Sequence, residues 1–259
     1  MSSLFDNLNA IAVRVTLISA FVAATSTLGA TKLTAQDSYA IPAATYAAYG
    51  NSSVAVAGTD AVRCDWPNTQ ALDAVVAVAG EDGSYASGVV IDRNRVLTAA
   101  HALSLEHRVF VNVDQEYRPA RILMIDRRDD LALLSVDTSE IAPLHVAATD
   151  PSTNQAVWAV GYPRATDKST TSGRLTRNQA GSLHTSASID LGQSGGGLLF
   201  CSDGSYYLGG MLRGYGAYEK DGQFIKLRNH SVSVGATTIQ RFFDSAPQVT
   251  TYSAAMVTN

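Results

Sequence analysis

From Asp73 onward the chain is a succession of short apolar runs cut apart by turn signals, and this pattern limits the fold more than any other feature. The runs are AVVAVAG (74–80), YASGVVID (85–92), VLTAA (96–100), RVFVNV (108–113), ARILMID (120–126) and LALLSV (131–136). They continue with AVWAVGYP (156–163), SGRLT (172–176), SLHTSASI (182–189), GGLLF (196–200) and YYLGGML (206–212). Each is about 5 to 8 residues long and partly β-branched or aromatic, the signature of an all-β sandwich or barrel. A helical period is confined to TTIQRFFDS (237–245), where Ile239, Phe242 and Phe243 fall at i, i+3 and i+4 and predict a short closing helix. Glycines gather late, at 192, 195, 196, 197, 209, 210, 214 and 216, as a sculpted site in the C-terminal half requires.

Composition excludes several functions. With 46% hydrophobic residues in 259, the chain can build a core. Lys and Arg number 19 against 23 Asp and Glu, a formal charge of −4, so no basic excess supports binding to nucleic acid. Two cysteines, Cys64 and Cys201, are too few for a disulfide-built mini-fold or a four-cysteine zinc site. No phosphate-binding G-x-x-x-x-G-K-[ST] run occurs. Neither a metal nor a cofactor is expected.

The amino-terminal segment reads as an export signal. Arg14 precedes the apolar run VTLISAFVAA (15–24), and small residues follow to Ala30. Residues 1–30 are thus a signal peptide or an uncleaved membrane anchor, which places the protein in the periplasm, in the medium, or on a membrane facing away from the cytoplasm. Residues 31–60, rich in Ala, Thr, Ser, Tyr and Gly, read as a flexible leader. Outside the cytoplasm Cys64 and Cys201 are free to pair; inside it they would be two buried thiols.

Three segments carry residues suited to nucleophilic chemistry: VLTAAHAL with His101, RRDDLALLSV with Asp130, and IDLGQSGGGLL with Ser194. A serine hydroxyl needs a base, usually imidazole. That base needs a carboxylate to fix its tautomer and stabilise its cation. The oxyanion formed on attack needs backbone N–H donors, and the amides of Gly192 and Ser194 suit that role. Singly, each residue has an ordinary explanation: a buried histidine, a turn carboxylate, a flexible hairpin loop. Jointly, in one order and each at a strand edge, they form a constellation. Asp129 is the rival carboxylate.

The three segments resemble the signatures of trypsin-like (chymotrypsin-fold) serine endopeptidases: T-A-A-H around the base, D-L-A-L-L around the acid and G-x-S-G-G around the nucleophile. The resemblance runs from about Ala74 to Phe243. It implies two six-stranded antiparallel β-barrels with the site between them, an N-terminal barrel over 61–150 and a C-terminal barrel with closing helix over 151–246, then a tail over 247–259. It favours Asp130, which directly precedes the L-A-L-L run, as the acid. It implies hydrolysis of peptide bonds in protein or peptide substrates through an acyl-enzyme. The second half is closest in pattern to bacterial HtrA-type and glutamyl-endopeptidase-type members, and the 15 residues after Asp244 leave no room for the PDZ domain of the former. Gln193 stands where trypsin-type zymogens carry the Asp that pairs with a new N-terminus, which implies another route to activity. Gly197 replaces the usual Pro. Cys201 sits where many members have a cysteine, and Cys64 is the available partner. The resemblance assigns Ser188 to the base of the specificity pocket and Leu212, Arg213 and Gly214 to its wall. His230 would line the pocket and favour an acidic side chain, as a histidine does in glutamyl endopeptidases.

Two other functions compete with this reading. One is a silent pseudo-protease that uses the cleft to bind peptides or a partner protein. The other is an α/β-hydrolase esterase, whose order of serine, acid and histidine this chain does not follow.

Overall fold

The computed structural model describes Thr16–Ile18 and residues 64–245; the sequence-predicted leader over 31–60 and the tail over 247–259 lie outside the described residues. In chain order the strands are β1 (Thr16–Ile18), β2 (Val75–Gly80), β3 (Tyr85–Asp92), β4 (Arg95–Ala99), β5 (Val109–Val113), β6 (Glu116–Asp126) and β7 (Leu131–Ser135). Then come β8 (Ala156–Gly161), β9 (Ser169–Gln179), β10 (Ser182–Thr185), β11 (Gly197–Ser202), β12 (Ser205–Lys220) and β13 (Gln223–Gly235). Helix α1 (Thr69–Asp73) precedes β2, and helix α2 (Ala236–Asp244) follows β13.

Strands β2 to β7 close into an antiparallel barrel in the order β2-β3-β4-β7-β6-β5. Strands β8 to β13 run β12-β11-β8-β9-β10-β13, and the pairing of β12 with β13 closes a second barrel. Closure removes the free sheet edges that a flat sheet of this size would expose. Strand β1 adds outside the second barrel, pairing antiparallel with β12 through Thr16↔Ala217, Leu17↔Gly216 and Ile18↔Tyr215. Of the segment read as an export signal, only these three residues are described.

The burial pattern explains the strand pattern. On β5 buried and half-buried residues alternate, because one face meets the barrel interior and the other meets solvent. On β7 Leu131–Leu134 are all buried, because this strand has barrel core on one face and the second barrel on the other. Val78, Val90, Val96, Val111 and Leu134 fill the first barrel; Val157, Leu175, Leu183, Leu198 and Leu212 fill the second. A third cluster, with Val75, Val89, Leu97, Trp158, Val160, Leu199 and Met211, lies between them. Burying a side chain of this size stabilises by about 1.5–3 kcal/mol, so this shared cluster is what holds the barrels in register.

Two local devices complete the frame. Helix α2 buries Ile239 and Phe242 and starts at Gly235, which offers no side-chain cap. Asp150 supplies one from a distance: its Oδ1 accepts the Thr237 N–H at 2.9 Å, where a carboxylate favours a helix start. Cys64 is disulfide-bonded to Cys201 on β11, with Cα atoms 6.1 Å apart, inside the usual range. The same entry segment is held again by the Tyr206 hydroxyl, which donates to the Trp66 carbonyl at 2.5 Å.

Candidate functional site

His101 follows β4 on a single 3-10 turn, Ala100–Ala102. Asp130 ends the turn before β7, with φ of 61°, a left-handed conformation that Asp tolerates better than most residues. Asp126 Oδ1 accepts the Arg128 and Asp129 amides at 2.8 and 3.1 Å, and this local turn delivers Asp130 to the barrel edge. There Asp130 is 3% exposed. Its Oδ2 lies 2.8 Å from His101 Nδ1, and its Oδ1 accepts the His101 backbone N–H at 2.9 Å. The carboxylate thus grips both the ring and the main chain of one histidine. Asp129 makes no such contact. Arg213 brings a third group: its Nε is 3.3 Å from Asp130 Oδ2.

The far nitrogen of His101, Nε2, is buried without a partner among the described residues. Ser194 reaches the cleft from the turn before β11. Its hydroxyl donates to the Arg213 carbonyl at 3.3 Å, and its own carbonyl accepts the Ser87 N–H at 2.8 Å.

The turn leading to Ser194 has a defined geometry. The Gln193 N–H donates to the Asp190 carbonyl at 3.1 Å, and Gly192, third of the four residues, has φ of 88°. These are the features of a type II turn, whose third position excludes most side chains. Space forbids them too: a Cβ on Gly192 would meet the Tyr162 carbonyl and the Tyr85 ring at 2.7 Å. Among the described residues neither the Gly192 nor the Ser194 amide donates to a protein acceptor. Gln193 is buried, and its Oε1 accepts the Asp190 N–H at 2.7 Å, so the residue in the zymogen-Asp position braces its own turn. Burial opposes ionisation of Asp190, but the Leu191 N–H and the nearby Lys226 and Arg164 outweigh it and hold its carboxyl below the ordinary range.

The other predicted pocket residues are spread over β12, β13 and the loop before the turn. Ser188 accepts the Asn229 N–H at 3.2 Å and bonds the Asn229 side chain at 3.1 Å. Leu212 points into the core of the second barrel, so its backbone alone can border a cleft; that backbone exchanges bonds with Gly195 and Gly196 at 2.7 and 2.8 Å. Gly214 is paired with Val232 on β13, past a bulge that carries Arg213. The His230 ring lies under Gly216, where a Cβ would overlap it. His230 Nε2 is 3.3 Å from His184 Nδ1, and Arg177 approaches the other nitrogen of His184 at 3.3 Å.

Burial, and then the neighbouring Arg177, hold both His184 and His230 below the ordinary imidazole range; for His184 the His230 ring adds to this. Unfolding releases both to take up protons in mild acid, so their contribution to stability falls as pH drops below the ordinary imidazole value. The melting temperature is therefore expected to fall between about pH 7 and pH 5. That fall is expected to be smaller in the double variant His184→Gln/His230→Gln. Equal pH slopes for the two proteins in a calorimetric series refute this.

Two participants carry no motif. Nothing in the sequence sets Ser87 apart except a hydroxyl within the apolar run YASGVVID, yet it bonds Gly192, Ser194 and Tyr162. Arg164, on the 3-10 turn Pro163–Ala165, gives its N–H to the Leu191 carbonyl at 2.7 Å.

Residues 86–207 match the trypsin-like peptidase domain. No curated protein matches the chain. Among solved structures it is similar to a serine endoprotease of Yersinia pestis, at 21% identity and a TM-score of 0.58 over 68% of this chain and 63% of that one. It is also similar to the active form of the Rv3671c protease of M. tuberculosis, at 20% identity and 0.57 over 69% and 83% of the two chains. A third is the HtrA-type protease AlgW with a tripeptide, at 22% and 0.57 over 68% and 61%. The chain thus spans less than two thirds of the Yersinia and AlgW chains, and the likeness to all three is one of fold. With two closed six-stranded antiparallel barrels the chain has the chymotrypsin-like fold, and the trypsin-like peptidase match over residues 86–207 reaches into both barrels.

Proposed function

We propose that this protein is an exported serine endopeptidase working through Ser194, His101 and Asp130. One observation carries the reading: His101 is held at Nδ1 by a buried carboxylate while its Nε2 is buried with no partner among the described residues. A buried ring nitrogen without a partner is costly in a core and useful in a reaction.

In the proposed reaction Ser194 rotates its hydroxyl from the Arg213 carbonyl towards Nε2. Staggered wells at χ1 make that a small step. His101 takes the hydroxyl proton as Ser194 Oγ bonds to the peptide carbonyl carbon, and Asp130 stabilises the imidazolium. The carbonyl oxygen becomes an oxyanion that the Gly192 and Ser194 amides receive. Collapse breaks the C–N bond, and His101 returns the proton to the leaving amine. Water then enters, gives a proton to His101 and releases the acid from Ser194 by the same route. Ser188 offers no carboxylate to a lysine or arginine side chain, so a preference like trypsin's is not expected. His230 remains a proposed pocket residue that favours an acidic side chain. The Cys64–Cys201 bond supports an oxidising compartment, and periplasm or medium is the proposed location.

The test is labelling with a fluorophosphonate, followed by mapping of the adduct. A single adduct on Ser194, absent from Ser194→Ala and from His101→Ala, is the expected result. The second reading, a silent protein that binds peptides, is favoured by the resting bond from Ser194 to the Arg213 carbonyl. A folded, monodisperse sample that takes no label would establish it instead.

A further inference from the structure

We propose that Ser87 is the positioning residue of the oxyanion turn, with its hydroxyl acting as a clasp between the two barrels. The proposal rests on the reading of Gly192 and Ser194 as oxyanion donors.

Ser87 lies on β3 of the first barrel and is fully buried. A hydroxyl there is costly unless its bonds are made. Both are made, and both go to the other barrel. Ser87 Oγ donates to the Gly192 carbonyl at 2.8 Å and accepts the Tyr162 N–H at 2.8 Å. Its main chain adds two more bonds: the N–H to the Ser194 carbonyl at 2.8 Å, and the carbonyl to Thr98 Oγ1 at 2.7 Å. One residue thus fixes the carbonyls of both candidate oxyanion donors.

The consequence for the Gly192 N–H follows from peptide geometry. In a trans peptide the C=O and N–H point opposite ways. The Gly192 N–H shares its peptide with the Leu191 carbonyl, which is held by the Arg164 N–H. With that carbonyl pinned on one side, the N–H is turned to the other, where no protein acceptor takes it. Type I and type II turns differ by a flip of this same central peptide. The clasp holds the type II form from both ends, gripping the Gly192 carbonyl after the peptide and the Tyr162–Arg164 segment that holds the carbonyl before it. Without the hydroxyl, Gly192 loses one anchor and the Tyr162 N–H is left buried and unpaired. Because the hydroxyl makes no bond to substrate in the proposed reaction, its effect falls on the transition state and not on binding.

The experiment measures kcat and KM for Ser87→Ala, together with inhibition by a peptide aldehyde, which mimics the tetrahedral state. Ser87→Ala is expected to lose about 10- to 100-fold in kcat, with KM within about twofold. The aldehyde is expected to weaken by a similar factor, and Ser87→Thr, which restores a hydroxyl, to recover most of the loss. Where alanine does not fold, Ser87→Cys keeps the test open: it is nearly isosteric but a weak donor, and a comparable loss in kcat is expected. Wild-type kcat in a folded Ala or Cys variant overturns the proposal. So does a loss that appears in KM alone. If the wild-type chain hydrolyses no peptide and takes no label, the underlying reading fails; if wild type is active and Ser87→Ala equals it, only the clasp fails.

Discussion

Ser194→Ala is expected to lower kcat by about six orders of magnitude, with little change in substrate affinity. The loss is that large because nucleophile, base and acid act as a unit. The remainder, about 10³ to 10⁴ over the uncatalysed rate, belongs to the oxyanion donors and binding alone. The fold is not expected to suffer, since the Ser194 hydroxyl makes only one bond, at 3.3 Å, to the Arg213 carbonyl. Asp130→Asn forms the companion measurement. Asp130 Oδ1 accepts the His101 main-chain N–H at 2.9 Å and lies 3.0 Å from the ring, while Oδ2 lies 2.8 Å from the ring. An asparagine is uncharged and presents an NH2 donor in place of one acceptor oxygen, so the imidazolium loses its counter-charge and the ring tautomer is no longer enforced. A drop of about 10⁴ is expected, with folding preserved. Ser194→Ala with more than a trace of wild-type hydrolysis would end the serine-peptidase reading. Asp130→Asn near wild type would remove Asp130 from it.

The second large effect concerns stability. Opening the Cys64–Cys201 bridge, by Cys64→Ser with Cys201→Ser, releases a loop with a sequence separation of 137. Chain entropy assigns such a loop about 5 kcal/mol at 25 °C, and measured bridges fall mostly at 2–4. The melting temperature is expected to fall by roughly 5–15 °C for a domain of this size. The bridge is not the only tether at that point, since the Tyr206 hydroxyl still holds the Trp66 carbonyl, so the value belongs below the entropic maximum. The same treatment under reductant is expected to shift wild type to the variant's value. Identical melting of wild type and variant under oxidising conditions would show that the bridge adds nothing.

What was legible in the sequence was what is local. Eleven apolar runs announced strands, and each found one, because alternation and β-branching reflect a half-buried pleated surface. The grouping of Ile239, Phe242 and Phe243 announced α2, which starts one residue earlier than the motif, at Ala236. The hairpin of β12 and β13 was underestimated. Its outer arms, EK and QFIKLRNH, stand beyond the barrel with Phe224 exposed, so no core imposes a pattern on them. The one signal was Asp221-Gly222, both at positive φ, a dipeptide suited to a two-residue hairpin turn. Helix α1, only five residues long, is too short to show a helical period; Asn68 caps it, accepting the Ala71 N–H at 2.9 Å. The candidate histidine, aspartate and serine could be proposed from sequence because each sits in its own motif. The Arg213 approach to Asp130 and the Ser87 bonds were not, because they join residues brought together only by the closed barrels. Ser87 and Gly192 are 105 positions apart.

Under the proposed reaction, that separation bears on how the protein survives its own chemistry. Contacts between residues so distant in sequence form late, and all-β chains dominated by them fold in milliseconds to seconds. His101 and Asp130 can meet once the first barrel closes, but the turn before Ser194 is set only when the second barrel docks against Ser87. An incompletely folded chain is therefore a ready substrate for an endopeptidase without being one. Self-digestion then needs an encounter between one finished molecule and one unfinished, so its rate follows the product of the two populations. It vanishes at both ends of the melting curve and is greatest at the midpoint.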